Sequence, residues 1–255
     1  MTARRKVSKP VRMIRGPDDF AAAFDVSREA IERLAIYEKL LRQWQKAVNL
    51  VAPSTLDAIW HRHFADSAQL LPLAASGLHS WIDLGSGAGF PGLVAAILLA
   101  GAPSPRHAGG VPSTRRGEGT RAEQGGPIRI TLVESDTRKC AFLREVVRKT
   151  GISSGIGITV DILSARAESV RISVNERLPR VVSARALAPL DKLLGLAAPL
   201  SPPGTTGLFC KGKEIAKELL VAEKTWKFDV ELVPSVTDSN GVIAVITNLE
   251  RKAKD

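Results

Sequence analysis

The stretch Trp81–Gly92, WIDLGSGAGFPG, constrains this chain more than any other. Apolar Trp81 and Ile82 run into the acidic Asp83. Glycines then recur at 85, 87 and 89, and the apolar run Leu93–Ala100 follows. That order predicts a strand, a glycine loop and a helix with Pro91 in its first turn. Glycines in such a loop let the backbone turn tightly and approach a ligand that a Cβ would exclude. The first expectation is therefore a site for a nucleoside-bearing cofactor.

The rest of the chain supports an α/β reading. Strand-like runs are expected at 81–84, 128–133, 156–162, 180–183, 206–210, 227–233 and 242–248, with helix-like runs between several of them, notably 137–150 and 190–200. This alternation predicts a doubly wound, seven-stranded, mostly parallel sheet. The short Asp238-Ser239-Asn240-Gly241 turn suits a terminal antiparallel pair. Upstream, Ser27 is placed to cap a helix on which Ile31, Leu34, Leu41 and Trp44 recur at helical spacing. Pro53 breaks that pattern, and a second helical stretch is expected over residues 56–71. The expected organisation is a disordered basic tail at 1–17, with Pro10 and Pro17 as breakers, and one domain at 18–255. That domain divides into a helical N-terminal part (18–78) and a Rossmann-like core (79–255). Residues 101–127 lack periodicity and are rich in glycine, proline, serine and arginine. A segment of that length far exceeds the roughly 2–6 residues usual in an α/β unit, so it reads as a flexible insertion.

Net charge is +10, but its location matters. Residues 1–16 carry six bases and no acid, and residues 101–127 add a further +2, so the expected folded body is close to neutral. The basic balance therefore gives no proof of a basic groove, although polyanion contact by the tail stays open. The two cysteines, Cys140 and Cys210, form no CxxC pair, which argues against a zinc site or disulfide scaffold and for a reducing, cytoplasmic location. No run approaches the roughly 20 apolar residues of a membrane span. No metal is expected, and a monomer is.

Two details bear on the cofactor. A dinucleotide fingerprint needs a glycine three residues after Gly87, where this chain has Phe90, so the loop is of the methyltransferase variety. An acid at the end of the second strand would accept from the ribose hydroxyls. Glu134 fits, although it lies 49 residues after Gly85. Discounting the insertion of about 25 residues restores a gap near the usual ~20. Arg166-Ala167-Glu168 follows the third strand, where an adenine would be flanked.

The segments LLRQWQKAVNLVA (40–52), RHFADS (62–67), DLGSGAGFPG (83–92), ESDTRKCAFL (134–143), RAE (166–168), SARALAPL (183–190) and FCKGK (209–213) occur in this order. Together they resemble the small-subunit ribosomal RNA guanine-N7 methyltransferases, also called glucose-inhibited division protein B. The resemblance implies a class I methyltransferase fold, S-adenosylmethionine as cofactor, and a guanine in a conserved loop of 16S rRNA in the small ribosomal subunit as target. It places cofactor contacts at Gly85, Phe90, Glu134, Ala167, Glu168 and Arg185. It places the RNA-binding or site wall at Arg62, His63, Asp66, Arg138, Lys139 and Lys211. Other readings are a Rossmann methyltransferase with another substrate, and a ribosome-assembly factor that binds the cofactor without catalysis.

Guanine N7 has an in-plane lone pair and no proton, so no general base and no catalytic dyad are expected. Arg185 and Lys211 are the expected partners of guanine O6 or phosphate. Asp66, three residues after His63, is expected to orient it as a structural pair. Trp44 and Trp81 are expected in the core.

Overall fold

The computed structural model describes residues 12–74, 77–101, 127–154, 157–171 and 180–253. Residues 1–11 of the expected tail and 102–126 of the expected insertion lie outside these.

Five parallel strands come first: β1 (Ser80–Leu84), β2 (Ile128–Glu134), β3 (Ile158–Ser164), β4 (Arg180–Arg185) and β5 (Thr206–Lys211). An antiparallel pair, β6 (Trp226–Pro234) and β7 (Val242–Arg251), completes a seven-stranded sheet of order β3-β2-β1-β4-β5-β7-β6. The chain winds outward from β1 through β2 to β3, then returns to its other side with β4. The crevice between the carboxyl ends of β1 and β4 is thus the switch point where open α/β sheets bind ligands.

Successive residues of each central strand serve opposite faces, as the period of two requires. Trp81, Leu132, Val181, Leu208 and Val245 pack into one core; Ile82, Val133, Val182, Phe209 and Ile246 pack into the other. The first core is closed by α1 (Pro17–Phe24), α2 (Arg28–Trp44), α4 (Gly92–Gly101) and α5 (Thr137–Thr150); α6 (Leu190–Ala197) and α7 (Ile215–Ala222) close the second. The N-terminal helices therefore share a core with the sheet. Ser27 caps α2 as expected, its Oγ accepting from the Ala30 amide at 3.2 Å. Trp81 is fully buried, and Trp44 packs half-buried on Phe142.

Three local expectations are corrected. Ordered chain begins before residue 18: Ile14 is buried, its amide donates to His61 Nδ1 at 3.3 Å, and Pro17 opens α1 rather than breaking it. Residues 56–71 do not form one helix. Pro53–Ala58 is a 3-10 turn, Trp60–Ala65 a π-helical turn, Asp66–Ala68 a short α3, and Leu71–Leu73 a further 3-10 turn around Pro72. The wide π turn carries Arg62 and His63, both of which line a cleft described below; such turns are frequent at functional sites. Third, α4 starts at Gly92, so Pro91 precedes the helix instead of lying in its first turn.

Candidate active site

The site begins with a buried clamp under the glycine loop. Trp81 Nε1 donates to Ser183 Oγ at 2.7 Å, and Ser183 Oγ donates to Asp83 Oδ1 at 2.6 Å. The Gly92 amide donates to Asp83 Oδ2 at 3.1 Å. Full burial pushes the Asp83 carboxyl up to about 6, and the bonds from Ser183 and Gly92 oppose that rise. A Cβ on Gly92 would stand 2.6 Å from Asp83 Cβ and from Leu132 Cδ2, so only glycine lets α4 start this close to β1. The clamp ties β1, β4 and α4 together at the switch point.

Above it, Gly85 and Gly87 take φ of +63° and +57°, which glycine adopts without strain. The Gly87 amide donates to Glu134 Oε2 at 2.8 Å, and the Asp136 amide donates to Glu134 Oε1 at 2.8 Å. Each carboxylate oxygen keeps lone-pair capacity beyond that bond. A cleft of about 460 Å³ follows, lined by Gly85, Phe90, Glu134, Ala167, Glu168 and Arg185 together with Lys139. All six residues expected at the cofactor thus share one wall. The cleft fits S-adenosylmethionine: a glycine cradle without side chains, an acid for paired ribose hydroxyls, and a strand-end turn (Ala167–Ser169) beyond it.

Phe90 is the keystone of that wall. Its buried ring lies nearly parallel to Tyr37, with centroids 5.5 Å apart, and to His63, 4.8 Å apart; the Arg185 guanidinium sits 4.9 Å over it. Tyr37 donates its hydroxyl to Ala88 O, and burial raises its pKa well above the usual phenol value. An N-terminal helix thereby holds the glycine loop from behind.

A second cleft, also about 460 Å³, adjoins the first at Arg185 and Ala186. Arg62, His63, Asp66 and Lys211 line it. So do Gln69, Thr237 and Asp238, which the sequence did not single out. Their signal is long-range: Thr237 Oγ1 donates to Asp66 Oδ1 at 2.7 Å and Gln69 Nε2 to the same oxygen at 2.9 Å, across more than 160 residues in the first case.

Arg185 is braced rather than free. NH1 donates to Asp66 Oδ2 and to the Arg62 carbonyl, each at 3.1 Å, and NH2 donates to His63 Nδ1 at 2.9 Å. The expected direct His63–Asp66 pair is therefore corrected: the two meet through Arg185. Burial first, then the Arg185 and Arg62 charges, lower His63 to about 3.

Lys211 also departs from expectation. Its buried ammonium lies 2.5 Å from Glu218 Oε2 and donates to Ala188 O at 3.0 Å, while Glu218 Oε2 accepts the Leu190 amide at 2.6 Å. Lys211 straps the loop after β4 instead of offering an open cation. Arg138 lines neither cleft; it is exposed on α5 beside Asp136. Among the described residues, no cluster of three His, Cys, Asp or Glu side chains could hold a metal ion, and no helix is long and apolar enough to cross a membrane.

A doubly wound seven-stranded sheet closed by an antiparallel hairpin, with a glycine loop after β1 and an acid ending β2, defines a class I S-adenosylmethionine-dependent methyltransferase. The O-methyltransferase TomG from Streptomyces achromogenes, solved in complex with SAM, has this fold (TM-score 0.51, 10% identity, covering 90% of this chain and 95% of that one). The model of the rRNA small subunit methyltransferase G family matches residues 30–102 and 125–244, and the chain belongs to that family. The match omits 103–124, within the stretch expected as an insertion. The Ribosomal RNA small subunit methyltransferase G of Rhodospirillum centenum is 46% identical over 231 residues, covering 91% of this chain and 90% of its own. Its counterpart from Parvibaculum lavamentivorans is 43% identical over 233 residues, covering 91% and 89%.

Proposed function

We propose that the protein transfers the methyl group of S-adenosylmethionine to N7 of a guanine in a conserved loop of 16S rRNA, acting as a monomer on the small ribosomal subunit in the cytosol. The observation that carries this reading is the pair of clefts meeting at Arg185 and Ala186, one with the cofactor chemistry and one of equal volume beside it that carries charged side chains. When bound, S-adenosylmethionine would supply an electrophilic methyl on its sulfonium; as the N7–methyl bond formed the sulfur–methyl bond would break, leaving S-adenosylhomocysteine as a neutral thioether.

The chain's own residues position rather than exchange protons. N7 has no proton to lose, and the candidate base nearest the junction, His63, stays neutral at physiological pH and donates or accepts only within its fixed bonds. Acceleration then comes from holding both reactants in register, an effect that can supply about 7–11 kcal/mol of a barrier. Glu134 and the glycine loop hold the nucleoside end of the cofactor. The braced Arg185–Phe90–His63 stack forms the partition beside the reacting atoms. The free thiols Cys140 and Cys210, the latter raised by burial, fit a reducing compartment.

Small subunits lacking the modification, incubated with the protein and labelled cofactor, should take label into 16S rRNA. Label found in ribosomal protein, or none in either, would reject the reading.

A further inference from the structure

The second cleft contains three carboxylates and three cations among its described residues, and they are not equally committed. Asp66 spends Oδ1 on Thr237 and Gln69 and Oδ2 on Arg185. Glu218 is held by Lys211 and the Leu190 amide. Arg185 has three bonds and sits against Phe90; Lys211 has two and is buried. Asp238 and Arg62 remain. They touch only at 3.4 Å, with side chains 39% and 46% exposed. Asp238 Oδ1 takes one further bond, from the Asn240 amide at 2.9 Å.

We propose that Arg62 and Asp238 read the Watson–Crick edge of the target guanine and set its specificity over adenine; the proposal rests on the guanine-N7 reading above. The edge offers an acceptor at O6 and donors at N1–H and the N2 amine. A guanidinium beside a carboxylate presents the complement, donor then acceptors. Adenine, with a donor amine at C6 and an unprotonated N1, would face Arg62 with a donor and Asp238 with a lone pair. Unpaired polar groups in such a site reject the wrong base. Methylation at N7 also makes the ring cationic and N1–H more acidic. The Asp238 contact therefore strengthens toward the transition state, the condition for raising turnover as well as binding.

The test uses small subunits rebuilt with 16S rRNA joined from two pieces, carrying guanosine or inosine at the target. Inosine keeps N7, O6 and N1–H and lacks only the N2 amine. The wild-type protein should prefer guanosine by about tenfold or more in kcat/KM. Asp238→Ala should lose about tenfold on guanosine, chiefly in kcat, and should treat the two substrates within about threefold of each other. Affinity for S-adenosylmethionine should equal wild type, showing that the fold and the other cleft are intact; if Asp238→Ala fails that control, the isosteric Asp238→Asn is measured in its place. A wild-type protein indifferent to the N2 amine, or a variant that keeps the full preference, overturns the assignment of Asp238. Failure of the wild-type protein to methylate N7 of the guanosine substrate would instead overturn the parent reading.

Discussion

Arg185 donates to His63 Nδ1 at 2.9 Å, and a guanidinium has no acceptor to offer, so His63 accepts there and carries its hydrogen on Nε2, 2.8 Å from Thr55 Oγ1. One arginine at the end of β4 thus fixes the tautomer of a histidine on the N-terminal π turn and, through Asp66, the orientation of the wall around it. The N-terminal helical part is built into the site rather than appended to it.

Acidification acts on two buried groups with opposite sign. His63 sits at about 3, below its ordinary 6.5. Between those values the unfolded chain binds a proton that the folded protein refuses. Its contribution is therefore present above pH 6.5 and drains as pH falls, by about 1.4 kcal/mol per unit. Asp83 sits at about 6, above its ordinary 3.8, so there the folded protein holds the extra proton and gains stability as pH falls from 6 toward 3.8. His63→Asn should flatten the loss of stability on acidification, and Asp83→Asn should steepen it. Urea midpoints at pH 7 and 4.5 check this; parallel changes in both variants and wild type would contradict it.

Gly92→Ala forces a methyl into the 2.6 Å gap before Asp83 and Leu132. Overpacking of this kind costs about 1–3 kcal/mol. The variant should melt several degrees lower and bind S-adenosylmethionine more weakly, because the loop and α4 shift together. Calorimetric melting and titration read both.

Lys211→Met leaves Glu218 without its cation in a largely buried setting. Removing one partner of such a pair costs roughly 3 kcal/mol, whereas removing both is far milder. Lys211→Met should therefore be less stable than the double variant with Glu218→Gln. If Lys211 served RNA alone, the single variant would keep wild-type stability and lose only activity.

Glu134→Ala removes the acceptor shared by Gly87 and Asp136 and the lone pairs proposed for ribose. Cofactor affinity should fall by at least about tenfold, the worth of one charge-assisted hydrogen bond. Equal affinity in isothermal titration would remove Glu134 from the cofactor site.

The sheet was legible because each strand announces itself by a short apolar run, and the expected helical run 137–150 matches α5, which the structure shows capped by Asp136 and stopped at Gly151. β3 begins two residues later than expected, because Ile156 looks like strand while Gly157, at φ +119°, still belongs to the turn. The glycine loop pointed to a nucleoside cofactor from local pattern, and Glu134 joined it only once the insertion was discounted; the two line one cleft. Asp66, Arg185 and Lys211 were expected at the site through the resemblance, and they line the second cleft; their bonds were not legible, since Arg185 and Lys211 find their partners on distant elements. Asp238 read only as a hairpin turn; nothing local shows that β6–β7 folds its turn against residues 61–69.

The atom that receives the methyl group decides the function. Nucleosides from 16S rRNA treated with the protein and S-adenosylmethionine, digested and resolved by mass spectrometry, should yield one 7-methylguanosine per small subunit above the untreated control. A methyl group on an exocyclic amine, on ribose, or on another base would contradict the account.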